Sequence, residues 1–547
     1  MKPSNCSAFW LTFSSGMALV FSFYPVGLPG MGWVAPVGVL WLVWARQLPG
    51  NRPRLQIWLA SFLCWLLLFQ CTRLPHWAGY IGWPFLAAYL GSYLFFFVLV
   101  ARHWVHRWKI PVVISAPVAW VGLEYMQAHL FSGISLGMLS HTQIAFPIVI
   151  QVADLAGCYT VSFFMVAIVA ALVSGFRQPK KKPRLLGLCL AVGLSVVLGG
   201  YGALRIRNAD QLMTRQDFKV ALVQGSRDTL FPDESQYRAY IESFTRHYLE
   251  LSQRACQEEV DLVVWPESMF PVPDFYTKIG ENLVSAERQK IHQSQQSVAR
   301  VAQRATRMNE LEGNVPMIVG ANSIVLGADR KLFNSGILIG RDGRVVERYG
   351  KMKLVLFGEF VPLGDVFPWL YSLFPIPPGL QPGAGPVAME LEGFVFSPNI
   401  CFESTYPHLI RHHYNDLLAR GQKPDVLVNL SNDGWFWGST ALDMHFANTV
   451  LRSVENRVPT LVASNTGFSA QVDSAGRVIA KGPRRKAKVI RVDLWTSEQT
   501  SPYHQIGDWP AFFCLLPVLG CFLQWIWLPF FSGKLQLIQH REDSPRS

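Results

Sequence analysis

The sequence predicts a polytopic α-helical membrane bundle of about eight spans, carrying one α/β domain between its seventh and eighth spans. Half of the 547 residues are hydrophobic and only 16% are charged, too apolar for a typical soluble chain. Seven apolar stretches, each near the ~20 residues that cross a bilayer as a helix, fill the first two hundred residues. Residues 218–500 then switch to short β-rich runs alternating with long polar helical segments, the pattern of sheets covered by helices.

The apolar stretches lie at about 8–26, 29–45, 55–72, 79–101, 110–128, 148–176 and 185–204, with an eighth at about 509–530. Trp509, Trp525 and Trp527 stand toward the two ends of the eighth, as interfacial aromatics do. The first stretch has no small-residue cleavage site before the second begins, so it reads as a span and not as a signal peptide. The expected division is 1–211 for seven spans, 212–500 for the α/β domain, and 501–547 for the last span and a tail.

Basic residues in the short loops give the orientation. One set of connections holds Arg46, Arg52 and Arg54, then Arg102, Arg107 and Lys109, then Arg177, Lys180, Lys181, Lys182 and Arg184. The alternate loops hold Arg73 and little else. With Lys2 and the tail residues Lys534, Arg541 and Arg546, the first set puts both termini in the cytoplasm and the α/β domain across the membrane. The net charge of +12 is then no sign of nucleic acid. Fifteen of the 49 basic residues and two of the 37 acidic ones belong to that cytoplasmic side, which leaves 34 basic against 35 acidic elsewhere.

In the middle region the strand-like runs are 218–224, 261–265, 317–320, 335–340, 344–349, 394–400, 425–430 and 460–464. Helical segments follow at 234–259, 281–311, 405–419 and 442–456. Two acids sit in apolar surroundings, Glu124 and Asp154; they read either as functional intramembrane carboxylates or as solvated groups at the interface. The Arg-Lys tract at 484–488 reads as a solvated turn.

The nine cysteines show no CxxC and no zinc-like spacing, so neither a disulfide framework nor a structural metal is indicated. Seven fall in or beside apolar segments, where a free cysteine packs as a small hydrophobe. Cys256 and Cys401 alone lie in the polar middle. Cys401 ends the run Pro398-Asn399-Ile400-Cys401, with Glu403 two residues on; Glu267 ends Val263-Val264-Trp265-Pro266-Glu267; Lys351 opens Lys351-Met352-Lys353 and precedes Glu359 by eight residues.

A thiol with an ordinary pKa near ~8.5 needs a base or a cation to become a nucleophile. Glu267 offers the base, Lys351 the charge for a thiolate and an oxyanion, and Glu359 or Glu403 a means to orient them. Each also has a plain alternative: a core cysteine, a Pro-Glu turn, a surface lysine. His408, His412 and His413 have helical spacing that suits either a metal or, more simply, a histidine-rich surface. No GxSxG, HExxH, P-loop or GxGxxG stands in a strand-to-helix setting.

Trp265-Pro266-Glu267, then Tyr349-Gly350-Lys351 running into Phe357-Gly358-Glu359-Phe360-Val361-Pro362, then Asn399-Ile400-Cys401-Phe402-Glu403 resemble, in order, the Glu-Lys-Cys motifs of the nitrilase (carbon–nitrogen hydrolase) superfamily. Asn429-Leu430-Ser431-Asn432-Asp433-Gly434-Trp435-Phe436 extends the match. With seven spans before and one after, the chain resembles the apolipoprotein N-acyltransferase family over essentially its full length. That resemblance implies a nitrilase-like αββα sandwich and a multi-pass protein of the bacterial inner membrane, its catalytic domain periplasmic. It implies transfer of a fatty acyl chain from a phospholipid, through a Cys401 thioester, to the α-amino group of a lipoprotein's diacylglyceryl-cysteine.

On the same resemblance Glu267 is the base, Lys351 the oxyanion and thiolate stabiliser, and Cys401 the nucleophile. Glu359, Phe402 and Glu403 support the site, and Phe231, Asn432 and Trp435 contact substrate. It implies no cofactor, no metal and a monomer among membrane lipid. Leu356 stands where the family usually has proline and Phe402 where tyrosine is common; Phe231 is read as replacing a tryptophan, and Gly133-Ile134-Ser135-Leu136 lacks the usual aromatic and proline. These departures touch substrate contacts and leave Glu267, Lys351 and Cys401 in place. The rival readings are a membrane-tethered amidase, with water as acceptor, and an inert nitrilase-like lipid-binding protein.

Overall fold

The computed structural model describes residues 7–177, 181–229, 234–278, 281, 283–307, 314–327, 330–364, 366–373 and 379–542. The first part is helical: α1 (Ala8–Ser22), α2 (Met31–Trp44), α3 (Pro53–Leu68), α4 (Gly79–His106), α5 (Val112–His129), the short α6 (Pro147–Ile150) and α7 (Ala153–Ala156), α8 (Cys158–Arg177) and α9 (Lys181–Leu212). The expected stretch at 148–176 is thus three helices, because Gly157 turns the chain at φ 78° between α7 and α8.

Among the described residues, four helices are long and apolar enough to cross a membrane: α4, α8, Lys182–Leu212 and Trp509–Ile526. α1, α2 and α3 are apolar but span only 15, 14 and 16 residues. The first apolar stretch yields a shorter helix because Pro25, Gly27, Pro29 and Gly30 end it early. Leu185, Leu186, Val192, Val196 and Val197 of α9 point outward, exposed to whatever surrounds the bundle. Surrounding lipid suits such a face and water does not.

The middle of the chain forms two sheets. β1 (Met213–Gln224), β2 (Leu262–Trp265), β3 (Asp274–Thr277), β4 (Met317–Leu326), β5 (Lys331–Ile339) and β6 (Val345–Gly350) join β13 in the first, in the order β13-β1-β2-β4-β5-β6 with β3 on β4. The second runs β12-β11-β10-β9-β8-β7, from β7 (Met389–Leu391), β8 (Phe394–Ile400), β9 (Val426–Ser431), β10 (Thr460–Ser464), β11 (Ala470–Val472) and β12 (Val478–Lys481); β13 is Lys488–Ser497. Residue alternation sorts the layers. Leu262 and Val264 of β2 meet Ile400, Val428 and Leu430 between the sheets, while Val263 and Trp265 face outward. The outward face is covered by α10 (Glu234–Ala255) and α11 (Ser285–Thr306) through Tyr248, Leu249, Val298 and Ala302.

The other sheet is covered by α12 (Pro407–Ala419) and α13 (Ala441–Asn456), so the domain is an αββα sandwich. Every residue of α13 except Asp443 is buried. Leu442, Phe446, Val450, Leu451 and Val454 of this helix share one core with α2, α4, α5 and α8. After β13, α14 (Tyr503–Ile506) leads into α15 (Trp509–Glu542), which packs beside α5.

Neither buried acid is solvated. Glu124 accepts from the Trp120 indole and the Leu139 backbone N–H, each at 3.0 Å. Asp154 has no exposed surface and takes ion pairs from Arg457 at 2.6 Å and Arg205 at 2.7 Å, with the Tyr201 hydroxyl at 2.7 Å. It joins α7, α9 and the residue that ends α13. Asp154→Asn leaves the fully buried Arg457 underpaired and is expected to cost about 3–5 kcal/mol; thermal unfolding in detergent checks it, and an unchanged Tm refutes it.

The basic tract is likewise no free turn. Arg484 pairs with both Asp443 oxygens at 2.6 and 2.7 Å and stacks 3.9 Å over Tyr24, and Arg485 pairs with Asp228 at 2.6 Å. Its charges are used to clasp the domain to the loop after α1.

Candidate active site

Glu267, Lys351 and Cys401 follow β2, β6 and β8 at the strand ends; apolar residues of β2 and β8 anchor the acid and the thiol in the sandwich, and the buried Tyr349 of β6 anchors the lysine. Cys401 has φ 53°, in the left-handed region, at the start of the turn Cys401–Thr405. That backbone is costly for a residue with a Cβ and holds the thiol up from the strand end. Gly320 of β4 makes room for the acid: a Cβ there would lie 2.4 Å from the Glu267 Cα.

Lys351 is buried between two carboxylates, with Nζ 3.0 Å from Glu267 Oε1 and 2.9 Å from Glu359 Oε1. The Asn334 side-chain amide donates to the same two oxygens at 2.7 Å each. The remaining oxygens accept backbone N–H groups, Asn432 for Glu267 at 3.1 Å and Val355 for Glu359 at 2.8 Å. Burial works against the Lys351 charge, but the Glu267 and Glu359 carboxylates outweigh it and hold its pKa well above the ordinary lysine value. Lys351 is therefore a fixed ammonium.

The Cys401 thiol is pushed well above its ordinary value, first by burial and then by the Glu267 charge, with Lys351 and the Asn432 N–H pulling the other way. At rest it is a thiol. The arrangement can ionise it only by giving its proton to a neighbouring base, and Glu267 is the carboxylate whose charge bears on it most. Ser431 Oγ lies 3.7 Å from Sγ.

Glu403 does not reach the lysine. Its two oxygens accept from Met352 N, Lys353 N, Ile400 N and the Tyr349 hydroxyl, at 2.7, 3.0, 2.7 and 2.8 Å. Burial raises its pKa, and those donors oppose the rise. Its geometry ties the turn after Cys401 to the turn after Lys351. Phe402 is partly buried, 6.1 Å from the Tyr406 ring and 6.3 Å from His445. The Asn432 side chain is spent on Gly434 N, Asn465 and Thr229, so only its N–H reaches the cluster. Trp435 is partly buried in the turn Asp433–Phe436. Phe231 lies outside the described residues.

Two features escaped the sequence reading. Asn334 is one, a polar residue of β5 whose role depends on strand pairing. The other is His445 with Asp433. His445 Nδ1 is 2.8 Å from Asp433 Oδ1 and Nε2 is 2.9 Å from the Cys401 carbonyl oxygen. Both partners only accept, so both ring nitrogens donate and the ring is an imidazolium. Burial opposes that charge, and Asp433 with the Cys401 carbonyl overcomes it, so the pKa is raised.

A raised folded pKa stabilises fully below the unfolded value of about 6.5 and loses that contribution as pH climbs through the folded one. Wild-type Tm is therefore expected to fall across that window and His445→Gln to flatten the profile; parallel profiles would refute the imidazolium.

The histidines of α12 are not one surface. His413 is buried with Nε2 3.0 Å from Met352 Sδ, His408 is partly buried, and His412 alone is exposed, pairing with Asp416 at 3.3 Å. Burial pushes His408 and His413 down to about 3, with help from nearby cations.

Family comparison agrees with this architecture. Residues 219–501 match the carbon–nitrogen hydrolase family and residues 15–171 the apolipoprotein N-acyltransferase N-terminal domain. The chain is 29% identical to an apolipoprotein N-acyltransferase of Rhodopirellula baltica, covering 92% of this chain and 95% of that protein. It is 31% identical to one of Geobacter metallireducens, covering 92% of each. A solved amidase from Nesterenkonia is similar over 54% of this chain and 94% of its own, at 14% identity and a TM-score of 0.34. The chain belongs to the apolipoprotein N-acyltransferase family and is a membrane N-acyltransferase built on a carbon–nitrogen hydrolase domain.

Proposed function

We propose that this chain moves a fatty acyl chain from a phospholipid to the free α-amino group of the diacylglyceryl-cysteine that begins an apolipoprotein, by way of a thioester on Cys401. The observation that carries the reading is the buried Lys351–Glu267 pair beside a protonated thiol. Glu267 takes the thiol proton as Sγ attacks the ester carbonyl. The ester C–O bond breaks, Glu267 returns the proton to the lysophospholipid, and the thioester remains. The amine then attacks the thioester, Glu267 accepts its proton and passes it to the departing sulfur, and an amide forms.

The Lys351 ammonium and the N–H of Phe402 hold the oxyanion in both halves. Glu359 keeps Lys351 paired while Glu267 carries a proton. Glu403 orients the turn, and Phe402 and Trp435 line the acyl approach. An apolar hollow in the bundle, with Trp65, Leu68, Phe97 and Leu123 in its wall, supports a hydrocarbon substrate. So do the exposed Phe357, Leu363, Val366, Phe367 and Trp369 on the segment after Lys351.

The same reading gives eight spans, two cytoplasmic termini, and a monomer whose α/β domain stands on the periplasmic face of the inner membrane. Its division is 1–211, 212–500 and 501–547. Basic loops support the orientation, and lipid substrates that stay in one leaflet give the spans a purpose.

Mass spectrometry of purified protein incubated with phospholipid tests it. The Cys401 peptide is expected to gain one acyl group in place of a hydrogen and to lose it to an added diacylated lipopeptide. Release of free fatty acid at the same rate with and without lipopeptide would instead make the protein a hydrolase.

A further inference from the structure

Three side chains that take no part in the Cys401 cluster meet where the α/β domain rests on the bundle. His129 is the last residue of α5, His408 the second of α12, and Asp508 immediately precedes α15. One ligand atom from each lies within 4.8 Å of the other two. The imidazole rings are 4.9 Å apart and inclined by 31°.

The donor atoms are available. His129 Nδ1 is 2.9 Å from the Tyr125 carbonyl, which only accepts, so Nδ1 carries a proton and Nε2 is the ring nitrogen left for a ligand. His408 Nδ1 is buried and has no hydrogen-bond partner. Asp508 is buried, and its Oδ1 accepts from the Tyr503 hydroxyl at 2.7 Å, which leaves Oδ2 for the cluster. A buried imidazole nitrogen without a partner costs stability and asks for one.

Of the neighbouring cations, Arg452 pairs with Glu455 at 2.7 Å and Arg411 donates to the His504 carbonyl at 2.8 Å, while the Nε of each has no partner. Among the described residues, no lysine or arginine forms an ion pair with Asp508.

Two imidazoles and one carboxylate are a donor set for zinc and its neighbours in the transition series, with bonds of about 2.0–2.2 Å that a small rotamer closure from this spacing would reach. Calcium and magnesium prefer an all-oxygen shell and fit it poorly.

We propose that His129, His408 and Asp508 bind one divalent transition-metal ion of the zinc type, with water completing its shell. The ion pins the start of α12 to the ends of α5 and α15. His408 is seven residues from Cys401, so the pin also steadies the turn that presents the thiol. Its role is structural, and no step of acyl transfer passes through it.

The test uses full-length, tag-free protein in detergent, stripped with a chelator, incubated with Zn²⁺ and freed of excess metal by gel filtration. Elemental analysis is expected to give about one zinc per chain. His408→Gln and Asp508→Asn are expected to fall to background, and His412→Gln, altered on the same helix but outside the cluster, to keep its metal. Zinc should raise the Tm of wild type and of His412→Gln but not of the other two. Wild-type protein that retains no zinc overturns the proposal, as does equal retention by all four proteins. The wild-type measurement stands even if a variant folds poorly.

Discussion

Glu267→Gln is expected to lower the rate of acyl-enzyme formation by about 10²–10⁴-fold while leaving the fold intact. Glutamine keeps the shape and can still accept from Lys351 and Asn334, losing only the acceptor for the Asn432 N–H, so the fold survives. What it loses is a site for the thiol proton. That loss is severe here because the Cys401 thiol is held well above its ordinary pKa and does not ionise unaided. Phospholipid with a radiolabelled acyl group, followed by gel electrophoresis without thiol, reads the effect. Glu403→Gln should fall much less, since that carboxylate secures backbone turns and meets neither the thiol nor the lysine. Equal labelling of wild type and Glu267→Gln would remove Glu267 from the role of base.

Lys351→Met is expected to damage stability and activity together. It leaves the buried Glu267 and the partly buried Glu359 facing each other across one amide without their cation. Removing one partner of a buried ion pair costs about 3–5 kcal/mol. Part of that returns if one carboxylate takes a proton, which raises its folded pKa above the unfolded value of about 4.3. A raised pKa favours the fold below the unfolded value and loses that contribution as pH rises. The gap in Tm from wild type should therefore be widest near neutral pH and narrow toward pH ~4. Adding Glu359→Gln should restore much of the Tm at neutral pH and none of the acyl transfer. A gap constant with pH would show that the two acids do not share this lysine.

Much of the site was legible because Glu267 and Cys401 end apolar runs, and Lys351 opens the segment that leads to Glu359. Val263-Val264-Trp265 and Phe394-Val395-Phe396 announce buried strands, and β8 begins and ends where the hydrophobicity does. Parts set by distant pairing were not legible. Asn334 bridges the two acids only because β5 lies antiparallel to β4, beside the end of β2. His445 reads as an ordinary helix residue until α13 is laid against the turn after Cys401. The strands β3, β7, β11, β12 and β13 went unread, four of them only three or four residues long, where periodicity has little to work with.

The spans show a different failure. A window of apolar residues counts Pro25 as part of a stretch, although backbone geometry ends the helix before it. Asp154 could be read from its neighbours as isolated in apolar sequence, yet its partners Arg205 and Arg457 lie on segments far along the chain.

The burial of α13 on nearly all sides has a mechanical consequence. In a free-standing sandwich that helix would present one face to water and could tilt with its sheet. Here its outer face is continuous with the bundle, so rocking the two bodies apart would open a seam through shared hydrophobic packing. Entry and exit of large substrates must then be gated by the surface segments alone, and the body beneath them serves as a fixed anvil.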